Sequence, residues 1–193
     1  GGGQTQGTRP CDDQHGHGGH PQPIAKSLHE GQPFLVQVFK DPIVAKGARL
    51  STQVSLAGRL LVYLPQDSHI GISQRIGDAA ERETLRERLQ HLLPEGLTGG
   101  FIIRTMAEDA PDNDLQMDID YLRKTWSTIT LQAKSKPAPT LLYQDLSLAQ
   151  RVLRDFVNDE TATIQVASRE DFLKLRQLGA EYTHFVFPQL GAH

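Results

Sequence analysis

Arg104 and Thr105 are the two neighbouring side chains with the clearest chemical use in this chain. They follow the apolar run 100–103, which predicts a short buried strand ending at the arginine. A guanidinium offers parallel N–H donors that match phosphate oxygens, and a threonine hydroxyl adds one donor. Each charge-assisted hydrogen bond contributes about 1.5–3 kcal/mol. The pair is therefore a candidate phosphate site, and a surface arginine in a salt bridge is the plainer interpretation of the same residues.

A second basic group flanks three short predicted strands. Lys40 follows the apolar run 34–39, Lys46 and Arg49 precede the alternating run 50–56, and Arg59 begins the run 59–65. Basic side chains at the loops of a β-barrel suit a nucleic-acid backbone. A solvated rim with no ligand explains the same spacing equally well.

Two acidic residues, Asp118 and Asp120, lie in a stretch that predicts the longest helix, about 112–132. They resemble a metal-binding pair, but residues two apart on a helix point about 200° apart. We therefore predict that both are surface charges and that they hold no metal ion.

The N-terminal residues 1–33 are rich in Gly, Gln, His and Pro. Such a segment buries too little apolar surface to offset its ordering entropy, so it predicts a flexible linker. His15, His17, His20 and Cys11 are possible zinc ligands. Without a second thiol or a fixed scaffold, the linker interpretation is favoured over a metal site.

Composition sets further limits. The 193 residues carry a formal net charge of −3, so any contact with nucleic acid must come from a local patch. The single cysteine favours a reducing, cytoplasmic setting. No apolar run approaches the roughly 20 residues that span a bilayer, so we predict no transmembrane segment.

Two helices are predicted on either side of the phosphate candidate in the sequence. Asp78 predicts the cap of the first helix, and residues around 112–132 form the second. Their predicted core positions are Leu85, Leu89, Leu92 and Leu93 in the first helix and Leu115, Ile119, Leu122, Trp126 and Ile129 in the second.

The C-terminal part predicts two strands and two helices. The strands are expected at 141–143 and 163–166, with helices capped by Asp145 or Ser147 and by Ser168. Their predicted inward residues are Leu148, Val152 and Phe156 in the first helix and Phe172, Leu175 and Leu178 in the second.

Several ordered runs resemble the ribonuclease E/ribonuclease G family, and the resemblance covers about 32–178. The runs are 34–43, 46–50, 55–59, 61–65, 69–76, 100–108 and 148–156. Two of them, 69–75 and 149–156, are more similar to the ribonuclease G branch.

The resemblance implies an α+β fold made of three parts after the N-terminal segment. Residues 34–60 would be the end of a partial S1/OB-type β-barrel that binds RNA. Residues 61–140 would be a mixed α/β 5′-sensor domain. Residues 141–193 would be a partial RNase H-like segment.

The resemblance also implies roles for individual residues. Arg104 and Thr105 match the arginine and threonine with which the family's sensor holds a 5′-phosphate. The backbone at Gly58 and Val62 would line the same pocket, and Lys46 matches a lysine that touches RNA. Such proteins are endoribonucleases that cut single-stranded RNA and prefer a 5′-monophosphate end.

The departures from the family pattern limit what this chain is expected to do. Val44 and Ala45 stand where the family usually has glycine and a hydroxyl residue. We expect no catalytic residue and no metal ligand in this chain, with Mg²⁺ and homo-oligomer formation belonging to a full-length parent. The alternative is a non-catalytic RNA-binding module or scaffold.

Overall fold

The computed structural model describes residues 29–158, 160–181 and 190–192. Leu35–His193 form one unit. In the residues described before it, the Gln32 N–H donates to the His29 carbonyl at 3.1 Å and closes a turn. The predicted linker up to residue 28 and its metal-ligand candidates Cys11, His15, His17 and His20 lie outside the described residues.

The described residues form a mixed α+β fold, as the sequence predicts. The strands are β1 (Gln37–Lys40), β2 (Arg49–Ser51), β3 (Leu56–Ala57), β4 (Leu61–Leu64), β5 (Ile70–Ile72), β6 (Gly100–Ile103), β7 (Ile164–Val166) and β8 (Leu190–Ala192). The helices are α1 (Ala79–Leu92), α2 (Asp112–Ser135), α3 (Leu148–Phe156) and α4 (Arg169–Glu181). These strands make three separate sheets, and within the described part of the chain none closes into a barrel.

The four-stranded sheet, in the order β3-β4-β6-β5, holds the centre of the core. β6 pairs antiparallel with β4 and parallel with β5. Side chains alternate between the two faces of a strand, so Leu61, Tyr63, Phe101 and Ile103 share one face and are all buried. The Tyr63 and Phe101 rings lie 5.0 Å apart between centroids. The end of β6 is therefore a rigid place for the residue that follows.

Helices α1 and α2 bear out the predicted core positions. The Asp78 side chain accepts from the backbone N–H groups of Ala80 and Glu81 and caps α1. Fully buried predicted positions are Leu85, Leu89, Leu115, Ile119, Leu122 and Ile129, and Leu92, Leu93 and Trp126 are partly buried against them.

The predicted inward face of α3 is wrong. Leu148 and Phe156 are 80% and 74% exposed, whereas Leu153 and Arg154 are buried. The neighbouring stripe of Ala149, Leu153 and Val157 has the same helical spacing, and the fold buries that one. Ser147 does cap α3, through a reciprocal capping box with Gln150.

Two further C-terminal predictions have opposite outcomes. The run 141–143 forms no strand. In contrast, β7 forms near the predicted residues and pairs with β8, and Ser168 accepts from the Asp171 N–H at the start of α4. Leu175 and Leu178 of α4 are buried, as predicted, and Phe172 is half-buried.

We predict that Leu89→Ala lowers the free energy of unfolding by about 2–5 kcal/mol, because it leaves a cavity at a fully buried site. Leu148→Ala, the matched control on an exposed helical site, changes it by less than about 0.5 kcal/mol. Urea denaturation of both variants measures these values. Equal losses would contradict the observed orientation of α3.

Candidate functional site

Arg104 is held at the end of β6 by the backbone. Its N–H donates to the Leu60 carbonyl at 2.8 Å, which extends the pairing of β6 with β4 by one bond. Strand alternation places Arg104 on the half-buried face of the sheet, the face that also carries Ile102 and Val62. The structure therefore brings the predicted Val62 and Arg104 positions to one side of the sheet.

The guanidinium of Arg104 is only partly used by the protein. Its Nη1 donates to the Gly58 carbonyl at 2.5 Å and to the Arg59 carbonyl at 3.0 Å, and it lies 3.4 Å from Asp155 Oδ1. Within the described residues, Nε and Nη2 have no hydrogen-bond partner, and 29% of the side chain is exposed. The N–H groups of these two nitrogens are therefore open to a ligand in the described part of the chain.

Thr105 comes directly after this arginine and opens a short 3₁₀ turn, Thr105–Ala107. Its carbonyl accepts from the Glu108 N–H at 3.2 Å. Its side chain is half-buried, and its hydroxyl has no hydrogen-bond partner in the part of the chain that the structure describes. Among the described residues, a hydroxyl without a partner therefore comes directly after a guanidinium with two open nitrogens.

Asp155 links Arg104 to a second arginine on α3. Arg154 donates from Nε and Nη2 to the two oxygens of Asp155 at 2.9 and 3.1 Å, and from Nη1 to the Ala57 carbonyl at 3.1 Å. Burial of Asp155 disfavours its charged form, but Arg154 and Arg104 outweigh this effect and hold the pKa of the carboxyl below its usual value. The cluster keeps α3 against the loop before β4.

Asp118 is not a surface charge, and this prediction is wrong. The residue is only 2% exposed, and its carboxylate accepts three consecutive backbone N–H groups, from Arg59 and Leu60 at 2.9 Å and from Leu61 at 2.8 Å. Burial raises its pKa, and the three hydrogen bonds and the charge of Arg154 oppose that rise.

The prediction that the side chains of Asp118 and Asp120 point in different directions is correct. Asp120 is exposed and accepts from the Gln116 side chain at 3.1 Å, whereas Asp118 faces the loop before β4. They do point apart, as residues two positions apart on a helix must. The helical periodicity of the sequence could not show that the side of α2 with Asp118 is covered by the backbone of the loop before β4.

The loop 57–61 is held between a carboxylate and two guanidinium groups. Its carbonyls at Ala57, Gly58 and Arg59 accept from the arginines, and its N–H groups point to Asp118. A Cβ at Gly58 would overlap the Asp118 carboxylate, so only glycine allows this close approach.

The basic group near the first two strands forms a separate feature. Lys40 and Arg49 lie directly opposite each other in the β1–β2 pair, and Lys46 closes a bridge with Ile43. All three basic side chains are exposed. Val44, in the tip of this turn, has a φ of 35°, a left-handed conformation that disfavours a β-branched residue. We call β1, β2 and this turn the basic hairpin.

The residues present do not form a metal site. In residues 29–158, 160–181 and 190–192, no three His, Cys, Asp or Glu side chains are close enough to hold a metal ion. No helix in those ranges has the length and apolarity needed to cross a membrane.

The geometry therefore defines an α+β unit with an arginine–threonine pair at a strand end and a basic hairpin. A profile of the Ribonuclease E/G family matches residues 55–189. This chain belongs to the ribonuclease E/G family, as its ordered runs predict.

Individual proteins of this family also match the chain. Ribonuclease G of Salmonella typhimurium (strain SL1344) and that of Escherichia coli (strain K12) are each 42% identical to this chain over 159 residues, 82% of its length. Ribonuclease E of Synechocystis sp. (strain ATCC 27184 / PCC 6803 / Kazusa) is 35% identical over 154 residues, 80% of this chain and 23% of its own length. The chain spans about a third, 32%, of the two ribonucleases G.

We predict that Asp155→Asn lowers the free energy of unfolding by about 1–3 kcal/mol at pH 7, because two arginines lose a charged partner. The folded pKa is depressed, so this stabilisation is present above the unfolded value of 3.8 and is lost as pH falls through the folded pKa.

Urea denaturation of wild type and variant at pH 7 and pH 3 tests this prediction. The exposed Asp120→Asn serves as control, with an expected change below about 0.5 kcal/mol at pH 7. A gap between wild type and Asp155→Asn that widens on acidification would show that the sign is wrong.

Proposed function

We propose that this chain binds single-stranded RNA and recognises its 5′-monophosphate end within an endoribonuclease. One observation carries the proposal: Arg104 directly follows the central strand β6, and neither its Nε and Nη2 nor the hydroxyl of the next residue, Thr105, has a hydrogen-bond partner among the described residues. Membership of the ribonuclease E/G family supports a ribonuclease role.

The partial use of the guanidinium explains how such a sensor would work. Nη1 is tied to the carbonyls of Gly58 and Arg59, so the plane of the side chain is fixed before a ligand arrives. The remaining donors can then pair with phosphate oxygens at little entropic cost. A 5′-hydroxyl end has no such oxygens, so it leaves these donors without partners.

Asp155 adjusts the charge of the site. Its carboxylate lies 3.4 Å from Arg104 Nη1 and is shared with Arg154. Arg104 shares this carboxylate with Arg154, so the positive charge of its guanidinium favours a phosphate dianion over a neutral end. In this proposal Gly58 and Val62 line the pocket, Gly58 through its backbone.

The basic hairpin supplies the second contact with RNA. Lys40, Lys46 and Arg49 are exposed on a two-stranded sheet, which suits a single-stranded phosphate backbone. We assign residues 34–60 to the end of an S1/OB-type domain, 61–140 to a 5′-sensor domain and 141–193 to an RNase H-like segment.

Cleavage in the parent ribonuclease would be attack of water on a phosphodiester at a Mg²⁺ site, which the described residues do not form. This chain would contribute binding energy remote from the scissile bond, and thereby position the RNA. A cytoplasmic setting and homo-oligomer formation remain predictions. The second candidate, a non-catalytic RNA-binding module, would use the same contacts, and a magnesium-dependent cleavage assay of the parent protein on 5′-monophosphorylated RNA separates the two.

We predict that Arg104→Ala removes the preference for 5′-monophosphorylated over 5′-hydroxyl RNA, a change of about 10- to 100-fold in the ratio of Kd values. Affinity for 5′-hydroxyl RNA should stay nearly constant, since that end makes no bond to the guanidinium. Fluorescence anisotropy titrations with two oligonucleotides of the same sequence measure both values.

The control for this experiment is Arg176→Ala, which removes an exposed arginine from α4. It leaves the net charge equal to that of Arg104→Ala and should keep the full preference. An unchanged ratio of Kd values in folded Arg104→Ala would refute 5′-end sensing at this site.

We predict that the double variant Lys40→Ala, Arg49→Ala weakens binding of both RNAs by a similar factor, because the hairpin binds internal phosphates. The slope of log affinity against log salt should become shallower by about 0.7 for each phosphate group that the variant no longer binds. Lys124→Ala, an exposed site on α2, is the control. Weaker binding of the 5′-monophosphorylated RNA alone would contradict a role for the hairpin in backbone binding.

A further inference from the structure

Asp118 is the one buried carboxylate among the described residues, and the proposed function gives it no task. Its three backbone partners belong to the same loop whose carbonyls hold Arg104. The two sets of hydrogen bonds involve the same peptide groups. The N–H of Arg59 and the carbonyl of Gly58 belong to a single peptide group, and the N–H of Leu60 and the carbonyl of Arg59 belong to the next.

A trans peptide group is planar, and its N–H and C=O point in opposite directions. Asp118 therefore holds one end of each of these two peptide planes while Arg104 Nη1 is bound at the other. A rotation of either plane that breaks the bond to Asp118 also turns its carbonyl away from Arg104. The carboxylate and the guanidinium are coupled through two rigid groups.

Hydrogen bonding adds to this coupling. An acceptor at the N–H end polarises each peptide group and makes its carbonyl a stronger acceptor for a cation. The Leu61 N–H provides a third bond to the same oxygen as the Leu60 N–H, and it lies at the start of β4. The loop is thus anchored to the sheet as well as to α2.

Asp118 itself is well fixed. Its neighbours along α2, Leu115, Ile119 and Leu122, are almost completely buried, so the helix cannot shift without disturbing the core. The absence of a side chain at Gly58 provides the space that the carboxylate occupies.

We propose that Asp118 is a positioning residue for the 5′-phosphate pocket, acting through the peptide groups of the loop 57–61 to fix the guanidinium of Arg104. This inference rests on the proposed function of Arg104. In this proposal Asp118 does not contact the RNA, but it contributes to the discrimination between 5′-monophosphate and 5′-hydroxyl ends.

We expect Asp118→Asn to reduce the preference for 5′-monophosphorylated over 5′-hydroxyl RNA by about tenfold, while affinity for the 5′-hydroxyl RNA stays within about twofold of wild type. Asparagine keeps the size of the side chain, but its NH₂ group cannot accept, so at least one of the three N–H groups loses its partner. The same anisotropy titrations measure the effect. A full preference in folded Asp118→Asn would overturn the proposal.

Leu122→Ala separates positioning from general loss of stability. It removes a buried side chain from the same helix, one turn from Asp118, and makes no contact with the loop through hydrogen bonds. It should keep the preference at a temperature where thermal unfolding shows that it is folded. If Leu122→Ala loses the preference as fully as Asp118→Asn, the effect is one of stability and the proposal fails.

The Arg104→Ala titration distinguishes this inference from the function on which it rests. If Arg104→Ala keeps the preference, the proposed 5′-end site is wrong, and Asp118 has no pocket to position. If Arg104→Ala loses it and Asp118→Asn does not, only the positioning role is wrong.

A measurement on the wild type covers the case in which Asp118→Asn does not fold. Amide hydrogen exchange of Arg59, Leu60 and Leu61 should be slow in the free protein. It should slow further, by about tenfold, with 5′-monophosphorylated RNA but not with the 5′-hydroxyl form. Equal exchange in the two complexes would overturn the coupling between loop and phosphate.

Discussion

The structure depends on one buried interaction, in which the Asp118 carboxylate accepts hydrogen bonds from three consecutive backbone N–H groups. A buried carboxylate without partners would cost several kcal/mol, and so would three buried N–H groups without an acceptor. Here the carboxylate and the three N–H groups satisfy each other's hydrogen-bonding capacity. The result joins α2, the loop 57–61 and β4 into one piece, and the positions of Gly58 and Arg104 follow from it.

Arg104 shows why two interpretations of the same residue need not exclude each other. The salt-bridge interpretation is realised in part, since Nη1 lies 3.4 Å from Asp155. That ion pair and the two carbonyl bonds use one nitrogen and leave Nε and Nη2 for a ligand. A side chain that is held at one nitrogen and open at two others is pre-organised, because binding removes little further rotamer freedom.

The C-terminal part shows the limits of periodicity. Two adjacent stripes on α3 have the same spacing, one ending at Phe156 and the other at Val157. A pattern alone cannot choose between them. The observed orientation buries Leu153 and Val157 and also lets Arg154 pair with Asp155 and reach the Ala57 carbonyl. A long-range polar contact therefore contributes to the orientation of this helix, and its more apolar stripe is exposed.

Sequence patterns were enough to predict the α+β class, the capped helix α1, the long helix α2, the strand that directly precedes Arg104 and the family. These follow from local spacing, caps and ordered runs, which depend on residues close together in the chain. Three features became visible only in the three-dimensional fold: the burial and backbone partners of Asp118, the linkage of Arg104, Asp155 and Arg154, and the buried face of α3. Each of these features depends on a contact between residues 51 or more positions apart, and no local pattern records which N–H groups a distant carboxylate will bind.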